Sequence, residues 1–402
     1  MTVFHYITIA LYVVQTILWI YLAFGTIYIF IFSIGGLFRL RHKITSSEKI
    51  NKIAVLIPGY KEDSVILEAA KDALKQHYPH ESFNVIIIAD SFQTGTLSEL
   101  KKLPVNVIEV SFDISTKTKA LNKAMENLPD QYYDVALVLD ADNLMEPQFL
   151  QKINTAFNAG YQAIQGHRIA KNTNTSFAVL DAVSEEINNH IFRKGHRVLG
   201  LSSSLIGSGM AFNYNYFKDL MKGIKAVGGF DKEIELTMLG EGKRIEYLEN
   251  AMVFDEKVQI PDVFVKQRRR WLSAQIHYSK YFFKALKSLI SKGNIDFFDK
   301  SAQMLLPPRI LLLGLLPLFT LLSLLFNPLN ISILWGGLFL LCILALFFAI
   351  PTTFYNKSTL AAISTLPRGF FLMLVSLFST KGANKRFIHT QHTTATDEEK
   401  KT

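Results

Sequence analysis

The sequence predicts an α/β domain with a parallel sheet, flanked by membrane-spanning helices. Hydrophobic residues make up 49% of the 402 residues, and they are concentrated towards the two ends of the chain. The middle alternates short apolar runs with segments of helical spacing, which is typical of buried parallel strands covered by helices on both faces. The formal net charge of +9 suits phosphate-bearing substrates or anionic lipid. No recognition motif for nucleic acid accompanies that charge, so nucleic acid is not an expected partner.

The N-terminal segment, residues 1–40, is expected to anchor the chain in a membrane. Its apolar run from Val3 to Phe38 exceeds the roughly 20 residues that one span needs, so it predicts one long tilted helix or a tight helical pair. Basic residues follow at Arg39, Arg41, Lys43, Lys49 and Lys52, most of them in a linker of residues 41–52. By the positive-inside rule the next domain is cytoplasmic, which predicts an integral protein of the plasma (inner) membrane.

The central domain, residues 53–274, contains four apolar runs that predict strands. They are Ile53–Ile57, Asn84–Ala89, Val105–Val110 and Asp134–Leu139, and segments 64–77 and 116–128 between them have helical spacing. Ligands of such sheets bind at the carboxyl ends of the strands. Pro58, Asp90 and Asp140 follow three of the four runs, so we expect these residues to lie together at a binding site.

The C-terminal part is predicted to return to the membrane. Residues 275–308 mix lysines with aromatic residues, which is typical of amphipathic helices at a membrane surface. In the segment of residues 309–380, Ile310–Phe326 and Ile331–Ile350 are long enough to span. The second of these runs contains Cys342, and as the single cysteine of the chain it excludes an intramolecular disulfide.

The last apolar run, Leu360–Phe378, is weaker because Pro367 and Arg368 lie near its middle. It is expected to be interfacial or re-entrant. The tail of residues 381–402 begins with basic residues and should remain in the cytoplasm, which favours two C-terminal spans over three.

Asp140 and Asp142 follow the fourth apolar run and are separated by one residue. Two carboxylates with this spacing at a strand end can share one Mg²⁺ or Mn²⁺, which also ligates a diphosphate. The same residues are equally compatible with a solvated turn that caps a helix. The pair therefore needs support from other motifs.

Further motifs can bind other parts of a nucleotide. The segment Pro58–Glu62 permits close backbone approach at Gly59 and offers the Tyr60 ring for stacking. Asp90 can accept a hydrogen bond from a ribose, and Lys119, at a predicted helix start, can neutralise a phosphate. The segment Gln267–Trp271 joins three arginines to a tryptophan, groups that bind phosphate and stack on flat surfaces. A basic patch on a membrane surface would also contain them.

In order and spacing, these motifs resemble the membrane-bound branch of the family 2 glycosyltransferases, which contains the cellulose, chitin and hyaluronan synthases and has a Gln-x-x-Arg-Trp motif. The resemblance extends from Ile53 to Trp271 and implies a Rossmann-like GT-A fold. Residues implied to bind the nucleotide sugar are Pro58, Tyr60, Glu62, Asp90, Lys119 and Asp140, and the implied metal ligands are Asp140 and Asp142. Residues implied to bind the acceptor and diphosphate are Gln165, Ser208, Gly209, Gln267, Arg268, Arg270 and Trp271. His389 and His392 are implied to gate the mouth of the site.

The sequence departs from the family pattern at the general base. The family usually has the Asp of a Glu-Asp pair a few residues after two glycines, whereas here Asp231-Lys232-Glu233-Ile234-Glu235 follows Gly228-Gly229-Phe230. The best alignment places Glu233 at the base, with Asp231 and Glu235 as alternatives. Burial and a neighbouring carboxylate can raise the pKa of such a group enough for it to accept a proton.

The resemblance implies an inverting glycosyltransferase that moves a sugar, with a UDP-sugar as the expected donor, to a growing polysaccharide. Two alternatives stay open: transfer of one sugar to a lipid or polyprenyl phosphate, and a catalytically silent scaffold subunit of a synthase complex. The predicted spans are few for a complete channel, so a homo-oligomer or an accessory subunit is a possible partner.

Overall fold

The computed structural model describes residues 3–42, 47–259 and 261–378. The strands are β1 Ile53–Tyr60, β2 Phe83–Asp90, β3 Asn106–Val110, β4 Val135–Val138, β5 Leu144–Met145, β6 Ala163–Ala170, β7 Met210–Asn213 and β8 Glu246–Asp255. The helices are α1 Val3–Gly36, α2 Ile66–Ala73, α3 Thr94–Leu100, α4 Lys117–Asn127, α5 Phe149–Asn158, α6 Ser176–Asn188, α7 His196–Val198, α8 Tyr214–Gly223, α9 Phe230–Gly240, α10 Pro261–Tyr278, α11 Phe282–Lys292, α12 Ile295–Gln303, α13 Arg309–Phe326, α14 Leu329–Ala349, α15 Lys357–Ile363 and α16 Leu366–Phe378.

The described strands form one mixed sheet in the order β3-β2-β1-β4-β7-β6-β8-β5. Strands β3, β2, β1 and β4 are parallel, and they contain the four predicted runs. Strand β7 is antiparallel to both β4 and β6, and β5 is antiparallel to β8. The prediction of a parallel sheet is therefore correct for β1 to β4 and for the pair β6 and β8, which is also parallel, and wrong for β5 and β7. Polar residues interrupt β6 and β8, so these strands lack the continuous apolar run by which the others were predicted.

Helices cover both faces of the sheet, as predicted. In β1, Ala54 and Leu56 belong to the core on the side of α4 and α8, whereas Ile53, Val55 and Ile57 belong to the core on the side of α2 and α5. All five side chains are completely buried. Successive side chains of a strand point to opposite faces, so a strand covered on both faces must be apolar throughout.

Within the described residues, α1, α13 and α14 are long and apolar enough to cross a membrane. Helix α1 is one continuous helix of 34 residues, so the N-terminal run is the long helix and not the helical pair. It shares an apolar core with α13 and α14, and Ser33 Oγ of α1 donates to the Ala345 carbonyl of α14 at 2.6 Å. Helices α15 and α16 meet at a 50° bend and form a broken span or a re-entrant loop.

Helix α1 also contacts the α/β domain. The Tyr28 hydroxyl donates to Asp299 Oδ1 of α12 at 2.6 Å and lies 2.8 Å from His196 Nε2 of α7. The Phe32 ring stacks on the His196 ring with centroids 3.6 Å apart. Helix α12, which lies within the segment of residues 275–308 predicted to be at a membrane surface, has most of its residues buried.

Candidate active site

The ends of β1 and β2 bring the predicted nucleotide-binding residues together. Tyr60 and Asp90 are neighbours in the register of the two strands, and the amide of Lys61 donates to the Asp90 carbonyl at 3.0 Å. Asp90 is buried, and its Oδ1 accepts a hydrogen bond from Ser91 Oγ at 2.9 Å. A Cβ at Gly59 would lie 2.7 Å from the Phe92 ring, so glycine permits this close approach. Pro58 lies in β1 two residues before Tyr60, and Glu62 lies just after the end of the strand.

Asp140 lies where β4 ends, in contact with two neighbouring segments. Its amide donates to Ser208 Oγ at 2.9 Å, and its Oδ1 accepts a hydrogen bond from the ammonium group of Lys117. Ser208 Oγ in turn donates to Asn143 Oδ1 at 2.5 Å. Asp142, two residues on, is almost fully buried. The turn after β4 is therefore fixed by hydrogen bonds at both ends, with one carboxylate partly open to solvent.

Lys117 is a site residue that the sequence analysis missed. It begins α4, donates to the Gly207 carbonyl at 2.7 Å and lies 4.9 Å from the centroid of the Phe230 ring. The predicted residue, Lys119, is exposed and donates to the Ile114 carbonyl. Helical spacing could have distinguished the inward-facing lysine from the exposed one. Lys117 precedes the buried residue Leu121 by four positions and so lies on the same face of the helix.

Gln165 stabilises the loop that carries Ser208. Its side chain is completely buried, with Nε2 donating to the Ser208 carbonyl at 2.9 Å and Oε1 accepting from the Ile206 amide at 3.0 Å. The loop that it holds has positive φ at Gly207 (87°) and Gly209 (62°), a conformation that favours glycine. Gln165 therefore fixes the loop that carries Ser208 and is itself shielded from solvent.

The Gln267–Trp271 segment forms part of α10, and its arginines face different partners. Arg268 pairs with Asp181 of α6 at 2.6 Å, and its guanidinium lies 4.4 Å from the Trp271 ring centroid. Burial lowers the pKa of Arg270, and the charge of Asp140 opposes that effect. Arg268 of this motif therefore contacts the scaffold, whereas Arg270 is under the electrostatic influence of Asp140.

The three candidate bases lie on α9 and have different surroundings. Burial raises the pKa of the Asp231 carboxyl, while Lys232 and Lys117 act to lower it. Glu233 turns the other way, with its carboxylate oxygens 3.4 Å from both the Tyr278 hydroxyl and the Lys225 amide. Glu235 is completely buried and lies 3.0 Å from Lys232 Nζ. Of the three, Asp231 is the carboxyl that shares a neighbour, Lys117, with Asp140.

The start of α9 is held against α10. Gly229 precedes the helix with φ of 67°, and a Cβ at this position would lie 2.8 Å from Ala274 Cβ. This close packing fixes the helix that carries Asp231 relative to the helix that carries Arg270. His389 and His392, the predicted gating residues, lie outside the described residues.

The metal prediction depends on Asp140 and Asp142. Within the described ranges, no group of three or more His, Cys, Asp or Glu side chains is arranged to hold a metal ion. The pair offers carboxylate oxygens, the donors that Mg²⁺ and Mn²⁺ prefer, and the contact with the Lys117 ammonium shows that Asp140 faces a cation. The two carboxylates are of the donor type that a divalent ion needs, and they are the residues that would hold it.

Comparison with known proteins identifies the family. Residues 51–274, more than half of the chain, match the family described as Glycosyltransferase like family 2. The chain therefore belongs to this family, and the prediction of a glycosyltransferase is confirmed. No curated protein sequence matches the chain.

Solved structures resemble the chain at low sequence identity. The mannosyltransferase PcManGT from Pyrobaculum calidifontis, solved in complex with GDP-Man and Mn²⁺, matches with a TM-score of 0.54 and 14% identity, covering 91% of this chain and 98% of that chain. S. aureus TarS 1-349 in complex with UDP-GlcNAc matches with a TM-score of 0.40 and 13% identity, covering 83% and 90%. The likeness to PcManGT supports the predicted GT-A-like α/β fold.

Proposed function

We propose that the chain transfers a sugar from a nucleotide-sugar donor to an acceptor at the membrane in one inverting displacement, with Asp231 as the general base. The observation that carries the proposal is the position of Lys117, which contacts Asp140 and also acts on the Asp231 carboxyl. A diphosphate beside Asp140 would place the anomeric carbon of its sugar towards Asp231.

At the anomeric carbon, the proposed reaction forms one bond and breaks one, and a proton moves from the acceptor to the base. The acceptor hydroxyl attacks the anomeric carbon and gives its proton to the Asp231 carboxylate, while the bond from that carbon to the diphosphate oxygen breaks. The nucleoside diphosphate leaves with the electron pair. Arg270 and Lys117 are placed to stabilise the charge on this leaving group, because groups aimed at developing charge stabilise a transition state.

Asp140 and Asp142 are the residues that would hold a divalent ion, and PcManGT was solved with Mn²⁺. Such an ion, Mg²⁺ or Mn²⁺, would neutralise charge on the departing diphosphate. In this proposal Tyr60 and Asp90 contact the base and ribose of the donor. In this proposal Ser208 and Gly209 line the acceptor side, and Gln165 keeps their loop in position.

Two matched substitutions test the assignment of the base. We expect Asp231→Asn to lower turnover by about 10²–10⁴, the range that general-base catalysis contributes, and Glu233→Gln to stay close to wild type. Release of UDP or GDP from a panel of UDP- and GDP-sugars, with Mg²⁺ or Mn²⁺ and the purified full-length protein, measures both. Full activity of Asp231→Asn with loss in Glu233→Gln would return the role to Glu233.

The acceptor we propose is a growing polysaccharide, as in the synthase branch that the Gln-x-x-Arg-Trp motif resembles. Three helices that can span a membrane pack beside the domain, and a homo-oligomer or accessory subunit would extend the path that they offer. The proposed orientation places the catalytic domain in the cytoplasm of an inner-membrane protein. Product length after incubation with the donor tests processive transfer.

Arg309 favours a second acceptor, a lipid-linked phosphate. It begins the membrane helix α13, and its Nη2 donates only to neutral groups: the Ser184 carbonyl, Ser184 Oγ and Asn188 Oδ1, at 2.8–3.1 Å. Among the described residues no carboxylate pairs with this guanidinium, which stays charged at all ordinary pH values. A radiolabelled sugar that partitions into chloroform, and does so less in Arg309→Gln, would favour this acceptor over a polysaccharide.

A further inference from the structure

A buried ionic cluster joins α9 to α12 behind the proposed base. Glu235 of α9 and Lys300 of α12 are both completely buried, and Lys300 Nζ lies 3.6 Å from Glu235 Oε1. The other carboxylate oxygen of Glu235 accepts from Lys232 Nζ at 3.0 Å. Burying charged groups costs several kcal/mol each unless they are well paired. A fully buried ionic cluster therefore carries a large desolvation penalty. The proposed reaction does not use it.

Lys232 lies between this cluster and the proposed base. Its ammonium donates to Glu235 Oε2 and to the Leu205 carbonyl, both at 3.0 Å, and it lies 3.9 Å from Asp231 Oδ2. At that distance Lys232 and Asp231 attract each other without a hydrogen bond. A rotation of the flexible lysine side chain would bring the ammonium onto the Asp231 carboxylate.

We propose that Glu235 is a positioning residue, which holds the Lys232 ammonium away from Asp231 so that the carboxylate stays basic and available to the acceptor. The inference rests on the proposed function of Asp231. It gives Glu235 a role in catalysis without contact with the substrate.

The charges around Asp231 explain why such a restraint matters. On its own helix Asp231 faces Lys232 and Glu235, and from neighbouring elements it faces Lys117 of α4 and Tyr278 of α10. Burial raises the pKa of Asp231, and Glu235 acts in the same direction, against the two lysines. A cation in direct contact lowers the pKa of a carboxyl by about 1–3 units. Direct pairing with Lys232 would therefore make Asp231 a weaker base.

Lys300 attracts Glu235 from outside α9, across 3.6 Å and without a hydrogen bond. Its ammonium donates to Ser204 Oγ at 2.7 Å and lies 3.5 Å from Gln303 Oε1. One residue earlier on α12, Asp299 accepts the hydrogen bond from Tyr28. The carboxylate that restrains Lys232 is thus held by a helix that is itself bound to α1.

The test uses Glu235→Gln in the full-length protein, with Glu241→Gln at the exposed end of the same helix as the matched control. Nucleoside diphosphate release is measured against pH with the UDP- or GDP-sugar that gives the fastest turnover. We expect Glu235→Gln to lower kcat about tenfold, to leave the donor KM unchanged and to move the acid limb of the pH–rate profile down by about one unit. The double variant Glu235→Gln/Lys232→Met should recover most of the activity, because the competing ammonium is gone.

A second variant covers the case in which Glu235→Gln does not fold, as judged by its thermal unfolding. Lys232→Met alone should move the acid limb to higher pH, because a cation near Asp231 has been removed. A Glu235→Gln profile like wild type, a double variant without recovery, or a Lys232→Met profile that does not move would overturn the inference. Activity in Asp231→Asn would instead overturn the assignment of the base, so the two failures are distinguishable.

Discussion

The two halves of the sheet build the candidate site in different ways. In the half formed by β1 to β4, the side chains follow directly from parallel strand ends, so Tyr60, Asp90 and Asp140 lie together because the strands do. In the half formed by β5 to β8, helices and loops position the side chains. Buried hydrogen bonds, such as the one from Gln165 to the Ser208 carbonyl, hold these loops in place. Strand register alone positions the first set, whereas several cooperating contacts are needed for the second.

The largest expected effect belongs to the strand-end half. We expect Asp140→Asn to lower turnover by about 10³, because the change removes the anionic partner of Lys117 and one proposed metal ligand. Nucleoside diphosphate release measures the effect. Asp130→Asn is the control, since this aspartate is 81% exposed and paired with Lys218 on the surface. A fall of similar size in both variants would show a general loss of folding and would remove Asp140 from the site.

A comparison of two lysines sharpens the boundary between the halves. Lys117 reaches across to the Gly207 carbonyl of the second half, so we expect Lys117→Met to lower turnover by about 10². Lys119→Met should leave it close to wild type, because that side chain is exposed. Donor turnover of the purified variants decides between them, and the reverse order would restore the prediction made from the sequence.

The second half should be more sensitive to the loss of a buried hydrogen-bonding group. We expect Gln165→Leu to cost about 2 kcal/mol, because it leaves the Ile206 amide and the Ser208 carbonyl without this partner. Gln151→Leu, at an exposed position on α5, is the matched control. The shift in thermal unfolding temperature measures both, and equal shifts would show that Gln165 does not hold the loop.

The smallest expected effect is on pH dependence. A general base must be deprotonated, and burial raises the pKa of Asp231 above its ordinary value of 3.8. Turnover should therefore fall as the pH drops through this raised pKa, at a higher pH than an exposed aspartate would give. The same acid limb is expected in Glu233→Gln, and its loss in that variant would contradict the assignment of Asp231.

The sequence predicted the first half well because its signals are local. A strand buried on both faces must be apolar, so the runs located β1, β2 and β4, and the polar residues that follow them were found with them. The run of β3, which lies at the edge of the sheet and is only partly buried, was found as well. Strands β6 and β8 were missed because their polar side chains are neutralised by partners distant in sequence, as Arg168 is by Glu185 at 2.8 Å. No local pattern records such a pairing.

The base stayed ambiguous for a geometric reason. Three acidic residues at alternate positions look equivalent in an extended loop, but in a helix successive residues turn by about 100°. Asp231 and Glu235 therefore share a face of α9, whereas Glu233 points to another. Once the segment is known to be helical, one carboxylate faces the site, one is buried behind it and one turns towards Tyr278.

The contact between α1 and the α/β domain bears on how this enzyme can be prepared. A chain trimmed to begin at Lys52 would keep every proposed catalytic residue and lose the Tyr28 and Phe32 side chains that cover His196. The buried imidazole, Asp299 and the core of α12 would then be open to water. Helix α1 thus packs against the domain in addition to its proposed role in the membrane, and we do not expect its removal to give a soluble, active enzyme.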